Sequence, residues 1–350
     1  MKRRRLKKSI RNILYFIVFA GVASFTFGYF HLWEKIESIF HETTVKLGTI
    51  YIEKPKVKII NEESKTRPIA VSINNNHAAW PHAGLQDAYL CYELIAEGGI
   101  TRLLAFYKDK DTSKIGSVRS ARHYFLDYIL ENDAIFVHFG YSPQTKEDIN
   151  SLKINNLNGL YDSSVFYRDK TLNRAYEHTA FTTMEKIQKG IKSKGYRNTS
   201  DVQLLKYNPI KVDYSKDETL QKANKVTIKY STYQTTSYEY DSENMVYKMF
   251  MSGKEHSDLD TKKQYTVKNI ITYQVENVSL NDEKGRQNLE NIGSGEGYYI
   301  SNGEAIKIKW AKKSRSEKTK YSLMDGSELI VNDGNTWIHI QPKNQSLKIE

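Results

Sequence analysis

The chain has 350 residues, 39% of them hydrophobic and 27% charged, which suits a globular body with enough apolar material for a core. Its single cysteine, Cys91, excludes an internal disulfide and with it a disulfide-stapled secreted scaffold. A net charge of +11 resembles a nucleic-acid binder's until it is located: Lys2, Arg3, Arg4, Arg5, Lys7, Lys8 and Arg11 hold seven of the positive charges, and without them 45 basic residues face 41 acidic ones. A phosphate-backbone binder concentrates its excess on the binding domain, so no nucleic-acid partner is expected.

Ile13 to Trp33 carries no Asp, Glu, Lys or Arg over 21 residues, about the length a helix needs to cross a bilayer. The basic cluster before it should stay cytoplasmic, and Tyr29, Phe30 and Trp33 crowd the far interface. A cleaved signal peptide is the competing reading, but bulky Phe25 and Phe27 follow the small residues Ala20, Gly21, Ala23 and Ser24. The expected localisation is the cell membrane, single-pass, with the N-terminus cytoplasmic and the remainder extracytoplasmic. Residues 34–66 read as a stalk and linker.

Residues 67–198 alternate strand and helix signals. Ile69 to Ile73 is a short apolar run, and two apolar runs around Gly98-Gly99 favour a β-hairpin over a helix from Leu85 to Ala96. Ser120 offers an N-cap for a helix from Ala121 to about Glu131, buried through Tyr124, Phe125, Tyr128 and Ile129. A strand is expected over Ala134 to Phe139, and helices over Lys146 to Asn155 and Met184 to Lys194. Residues 199–221 are polar and poorly patterned and read as a linker. From 222 to 350 the pattern alternates with period two. Asn302-Gly303, Asp325-Gly326 and Asp333-Gly334 supply hairpin turns between antiparallel strands. The run Gly293 to Gly297 reads as a flexible loop. The expected fold class is α+β: an N-terminal membrane helix (1–12 tail, 13–33 anchor), a mixed α/β ligand-binding domain, then an antiparallel β-rich domain.

The densest polar information lies between Arg67 and His178. Arg119 and Arg122 flank the expected helix start, where unpaired N–H groups and guanidinium forks together suit a phosphate or carboxylate. The structural alternative pairs them with Glu93, Glu97 or Asp127. Glu93 and Glu97, four apart, should share one side; they suit acid–base work or neutralise Arg102 and the Arg119/Arg122 pair. His138 ends a strand, where ligands gather in α/β sheets; His82 lies in the loop after the first strand, and His178 is expected just before a helix. Glu93 and His138 are therefore the catalytic candidates, and Arg102, Arg119, Arg122, His82, Glu97 and His178 the ligand-binding candidates. No metal-ligand spacing, nucleophile elbow, phosphate loop or dinucleotide fingerprint occurs, so neither metal nor cofactor is expected.

The strings Arg67-Pro-Ile-Ala-Val-Ser-Ile-Asn74, Glu97-Gly-Gly-Ile-Thr-Arg102, Val118-Arg-Ser-Ala-Arg122 and Gly334-Asn-Thr-Trp337-Ile resemble the YerB-like bacterial lipoprotein family, which has two domains. The resemblance covers 67 to about 182 and about 265 to 340. It implies an envelope location and a two-domain build, and brings no activity with it. Departures are the apolar run in place of a lipid-modified cysteine, Ser117 for the usual Pro, Tyr141 for the usual Gly, and Glu177-His178-Thr179 for the usual Pro-His-Asn. Three functions are in play: a membrane-anchored protein binding an anionic envelope ligand, with the lipid-linked phosphates, wall polymers and peptide carboxylates as ligand classes; a wall-polymer hydrolase or transferase; and a scaffold for an envelope protein assembly.

Overall fold

A computed structural model describes residues 59–350. The expected tail, membrane span and most of the stalk lie outside the described residues, among which no helix is long and apolar enough to cross a membrane. The described part is mostly β, with few helices, and forms one compact unit.

The N-terminal half begins with β1 (Ile69–Asn74), buried along its whole length, as an unbroken apolar run must be when both sheet faces are covered. Next comes the expected hairpin, β2 (Leu90–Ile95) and β3 (Thr101–Tyr107). Its turn needs two left-handed residues, and Gly98 and Gly99, with φ of 64° and 73°, supply them. After it come α1 (Leu126–Glu131), β4 (Ile135–His138), α2 (Pro143–Ser151), β5 (Asn156–Asn158) and α3 (Met184–Ser193). α2 starts three residues before the expected position because Ser142 caps the Thr145 N–H and Pro143 suits the first turn. α3 matches its expectation; Thr183 caps it, and Ile187 and Ile191 face the core.

The expected helix from Ala121 is a correction. Ser120 does not cap it: its hydroxyl donates to Phe139 O. Arg122 is still extended, a 3-10 turn spans His123–Phe125, and only then does α1 run. The anticipated buried face is right, since Tyr124, Phe125, Tyr128 and Ile129 are all buried, but the helix-start anion cradle is not built.

In the C-terminal half, β6 (Lys225–Lys229), β7 (Thr235–Asp241) and β8 (Val246–Met251) form an antiparallel meander. β9 (Asn269–Val275), β10 (Gly293–Ser301), β11 (Glu304–Lys312) and β12 (Thr336–Pro342) follow, and the last strand, β13 (Leu347–Ile349), pairs with β6. The Asn302-Gly303 turn closes the β10–β11 hairpin as expected. Asp333-Gly334 does not close one: Ile330–Asn332 pairs parallel with Lys206–Asn208, while β12 pairs parallel with β9 and β2. The half is therefore not purely antiparallel. The Gly293–Gly297 run is strand, not loop. Gly295 is bare because a Cβ there would lie 2.9 Å from Trp310 Nε1, and at Gly297 it would lie 2.4 Å from Thr272 O.

One large sheet crosses both halves in the order β11-β10-β9-β12-β2-β3-β1-β4-β5, with residues 221–222 on its outer edge. β12, from the C-terminal end of the chain, sits beside β2, with Leu90 opposite Thr336 and Glu93 opposite His339. Two buried polar clusters tie the halves together. On one face of the sheet, Glu93 accepts from Thr101 Oγ1 (2.7 Å), Asn75 Nδ2 (3.2 Å) and, across the halves, Thr236 Oγ1 (2.7 Å), while His339 meets the Tyr230 and Tyr238 hydroxyls. Elsewhere Lys312 Nζ donates to Glu131 Oε2 at 2.7 Å, with both side chains buried.

Candidate functional site

β1, β4 and β5 run parallel, so their carboxyl ends open on one edge of the sheet. In mixed and parallel sheets that edge is where loops diverge and ligands bind. Side chains alternate along a strand. Asn74 lies opposite Arg102 in the β1–β3 register, whereas Glu93 and Thr101 face the other way, toward the β6–β7 meander.

Asn74 is the hub of this edge. Its carbonyl accepts from His82 Nε2 (2.8 Å), its amide nitrogen donates to His178 Nδ1 (2.8 Å), its N–H donates to Ser117 O (2.8 Å) and its Oδ1 accepts from the Asn76 N–H (3.2 Å). With Nε2 of His82 donating, its Nδ1 is the acceptor for His256 Nε2 at 2.9 Å. Burial pushes His82 down to about 4, His256 well below its ordinary value, and His178 down as well. His178 does not precede a helix: it ends a 3-10 turn ahead of the strand Ala180–Thr182.

Beside Asn74 the arginines gather. Arg122 grips Glu97 with Nε and Nη2, the latter at 2.8 Å. Arg102 Nη2 reaches the same carboxylate at 3.2 Å, and its Nη1 donates to Ser120 O at 2.7 Å. Arg119 adds a small depression to Arg102 after desolvation and Arg122, and is itself lowered by desolvation, which the nearby Glu177 charge partly opposes and the Arg122 and Arg168 charges reinforce. Among the described residues Arg119 forms no ion pair, and the one hydrogen bond of its side chain there goes to Glu177 O at 3.4 Å. The ion-pair alternative thus holds for Arg122 and Arg102 through Glu97, and not for Arg119. Burial and the neighbouring Arg122 charge pull the Arg102 guanidinium down to about 9, still protonated at neutral pH. Burial alone would raise Glu97, but the Arg122 hydrogen bond and the two arginine charges leave it below the usual carboxylate range.

Buried polar atoms without partners cost free energy and therefore mark unfinished sites. Three lie in these segments among the described residues: Arg102 Nε, Ser117 Oγ and Asn158 Nδ2. Arg102 is only 4% exposed.

The candidates therefore separate. Arg102, Arg119, Arg122 and Glu97 come together, with His178 and His82 joined to them through the Asn74 strand end. Glu93 and Glu97 do not share one side, because the strand ends at Ile95 and the chain turns before Glu97. Glu93 lies wholly buried in the network between the two sheets. His138 is also buried: Nδ1 donates to Gly140 O at 2.8 Å, Nε2 lies 3.2 Å from the Asn156 amide, and burial pushes it down to about 4.

Sequence reasoning did not single out Arg168. Its guanidinium stacks on the Tyr176 ring (3.9 Å) and the Phe139 ring (4.5 Å), and Nη1 donates to Tyr176 O at 2.6 Å. The signal was a lone Tyr-Arg-Asp string, whose aromatic partners lie 29 residues away or in the next turn. Nor did it single out Asn74 and His256, whose partnerships span up to 174 residues.

Residues 57–197 match the family profile described as "Protein of unknown function (DUF3048) N-terminal domain", and residues 226–338 match its C-terminal domain. Over 290 residues the chain is 31% identical to a Bacillus subtilis (strain 168) protein described as "Putative lipoprotein YerB", covering 82% of this chain and 84% of that one. The crystal structure of YerB protein from Bacillus subtilis matches with a TM-score of 0.72 at 28% identity, over 83% of this chain and 97% of the other.

Proposed function

The chain belongs to the DUF3048 family of YerB-like proteins, and from that premise we propose that it works at the outer side of the cell membrane and binds an anionic envelope ligand, a phosphate or carboxylate, at the carboxyl edge of β1. The relative's description as a lipoprotein supports the envelope location. So does the apolar run 13–33, which would take the place of a lipid anchor.

One observation carries the ligand class. Two of the three arginines, Arg102 and Arg122, share a single carboxylate, Glu97, and the third, Arg119, forms no ion pair among the described residues. Gathering like charges in a partly desolvated place is unfavourable unless an anion completes it. Guanidinium forks hold phosphate and carboxylate oxygens at two points, and the unpartnered Arg102 Nε is a further donor. The wall-polymer hydrolase reading is less well supported: its two candidate bases, Glu93 and His138, are fully buried and already hydrogen-bonded.

The test is thermal unfolding of the full chain in a non-ionic detergent, with inorganic phosphate, acidic wall fragments and peptide carboxylates, for wild type and Arg119→Ala. At a hundredfold excess over Kd, a ligand should stabilise the wild type by about 2.7 kcal/mol, a rise of about 5 °C. The variant should lose that rise. If no anion moves the wild type, the reading fails.

A further inference from the structure

Beside the arginine cluster lie several aromatic side chains: Phe139 and Tyr141 pack against the core, whereas Tyr161 and Tyr176 stand largely exposed. Tyr176 is 71% exposed and covered on one side by Arg168. Arg168 also lies on Phe139. Phe139 in turn packs over Gly159, where a Cβ would come within 2.1 Å of the ring. Two residues on, Tyr161 is 68% exposed, and its hydroxyl meets that of Tyr141 at 2.9 Å. Leu160, between them, is 54% exposed. Arg119 adjoins this ridge at two points: its side chain reaches Glu177 O, beside Tyr176, and its carbonyl accepts the Phe139 N–H at 3.0 Å.

We infer that this ridge is a sugar-binding subsite, so that the ligand is an anionic saccharide: a sugar carrying a phosphate or carboxylate, with the anion on Arg119 and a pyranose face on the exposed tyrosines. The inference rests on the anion-binding reading and deepens it. Flat rings with one open face suit the apolar C–H face of a pyranose, and their hydroxyls suit its polar rim. The ring orientation is fixed in advance at both ends, by the Arg168 stack and by the Tyr141–Tyr161 contact, so little side-chain freedom is lost on binding. A bare inorganic anion would not use the ridge. The head group of a glycerol lipid would use the arginines and have no ring to lay on the tyrosines.

The experiment is calorimetric titration of the full chain in non-ionic detergent with four probes: inorganic phosphate, glycerol 1-phosphate, N-acetylglucosamine and N-acetylglucosamine 1-phosphate. The sugar phosphate should bind at least tenfold more tightly than either phosphate without a sugar. Tyr161→Ala/Tyr176→Ala should erase that difference while inorganic phosphate binds as before. Arg119→Ala should weaken both phosphates. Equal affinity for the sugar phosphate and glycerol 1-phosphate, or an advantage that survives in the double tyrosine variant, overturns the saccharide inference and leaves anion binding standing. Failure of every phosphate to bind overturns both.

Discussion

Arg122 holds Glu97 through two nitrogens, and Arg102 reaches the same carboxylate from the buried side at 3.2 Å. One acid thus restrains two guanidiniums, and the third, Arg119, forms no ion pair among the described residues.

Glu97→Gln should be costly. It leaves Arg102, 4% exposed, without its only ion-pair partner among the described residues. Breaking a buried pair from one side costs about 3 kcal/mol, and the urea midpoint should fall accordingly. Phosphate should restore more stability to this variant than it adds to the wild type; equal increments would mean that the anion does not replace the carboxylate. The wild-type contribution also depends on pH. Because Glu97 is held below its ordinary 4.5, it is complete above that value and is lost as pH falls through the lowered folded value.

The buried imidazoles act in a higher window. His82 and His138 are each pushed from 6.5 to about 4 by burial. The unfolded chain therefore binds more protons between those values, and stability drops as pH falls from about 6.5 to 4. Each group contributes about 3 kcal/mol across the window. Unfolding midpoints from pH 8 to 4 should show this slope, and His138→Gln should flatten part of it. A flat profile in the wild type would contradict the burial argument.

Lys312 and Glu131 join the two halves of the chain inside the core at 2.7 Å. Glu131 also accepts from the Tyr92 hydroxyl and from Thr319. Lys312→Met alone should cost about 3–5 kcal/mol, since it strands a buried carboxylate. Lys312→Met/Glu131→Gln should recover much of that, read as a coupling energy in a double-mutant cycle. Additive losses would show that the two groups act separately.

Much of the fold was legible because its elements are local. The β2–β3 hairpin announces itself by two glycines that must be left-handed, and α3 by its Thr183 cap and apolar stripe. What stayed hidden was long-range. Nothing in the β12 string Thr336–Pro342 says that it will lie beside β2, some 245 residues earlier, so the sheet that crosses both halves could not be read. The site was half legible for the same reason. Arg102, Arg122 and Glu97 lie within 26 residues of one another, and the structure brings these three side chains into contact. Glu93 misled because a four-residue spacing gives one face only if the element continues, and here it ends at Ile95. His138 followed the strand-end rule, yet its ring turns back onto Gly140 and Asn156.

The central claim, that Arg119 and its neighbours hold an anion, is tested most directly by calorimetric titration of inorganic phosphate into wild type and Arg119→Ala at low and high salt. A charge-assisted hydrogen bond contributes about 1.5–3 kcal/mol, so the variant should bind at least tenfold more weakly while unfolding at the wild-type temperature, and wild-type affinity should fall with salt. Equal binding by both proteins, or none by the wild type, would contradict it.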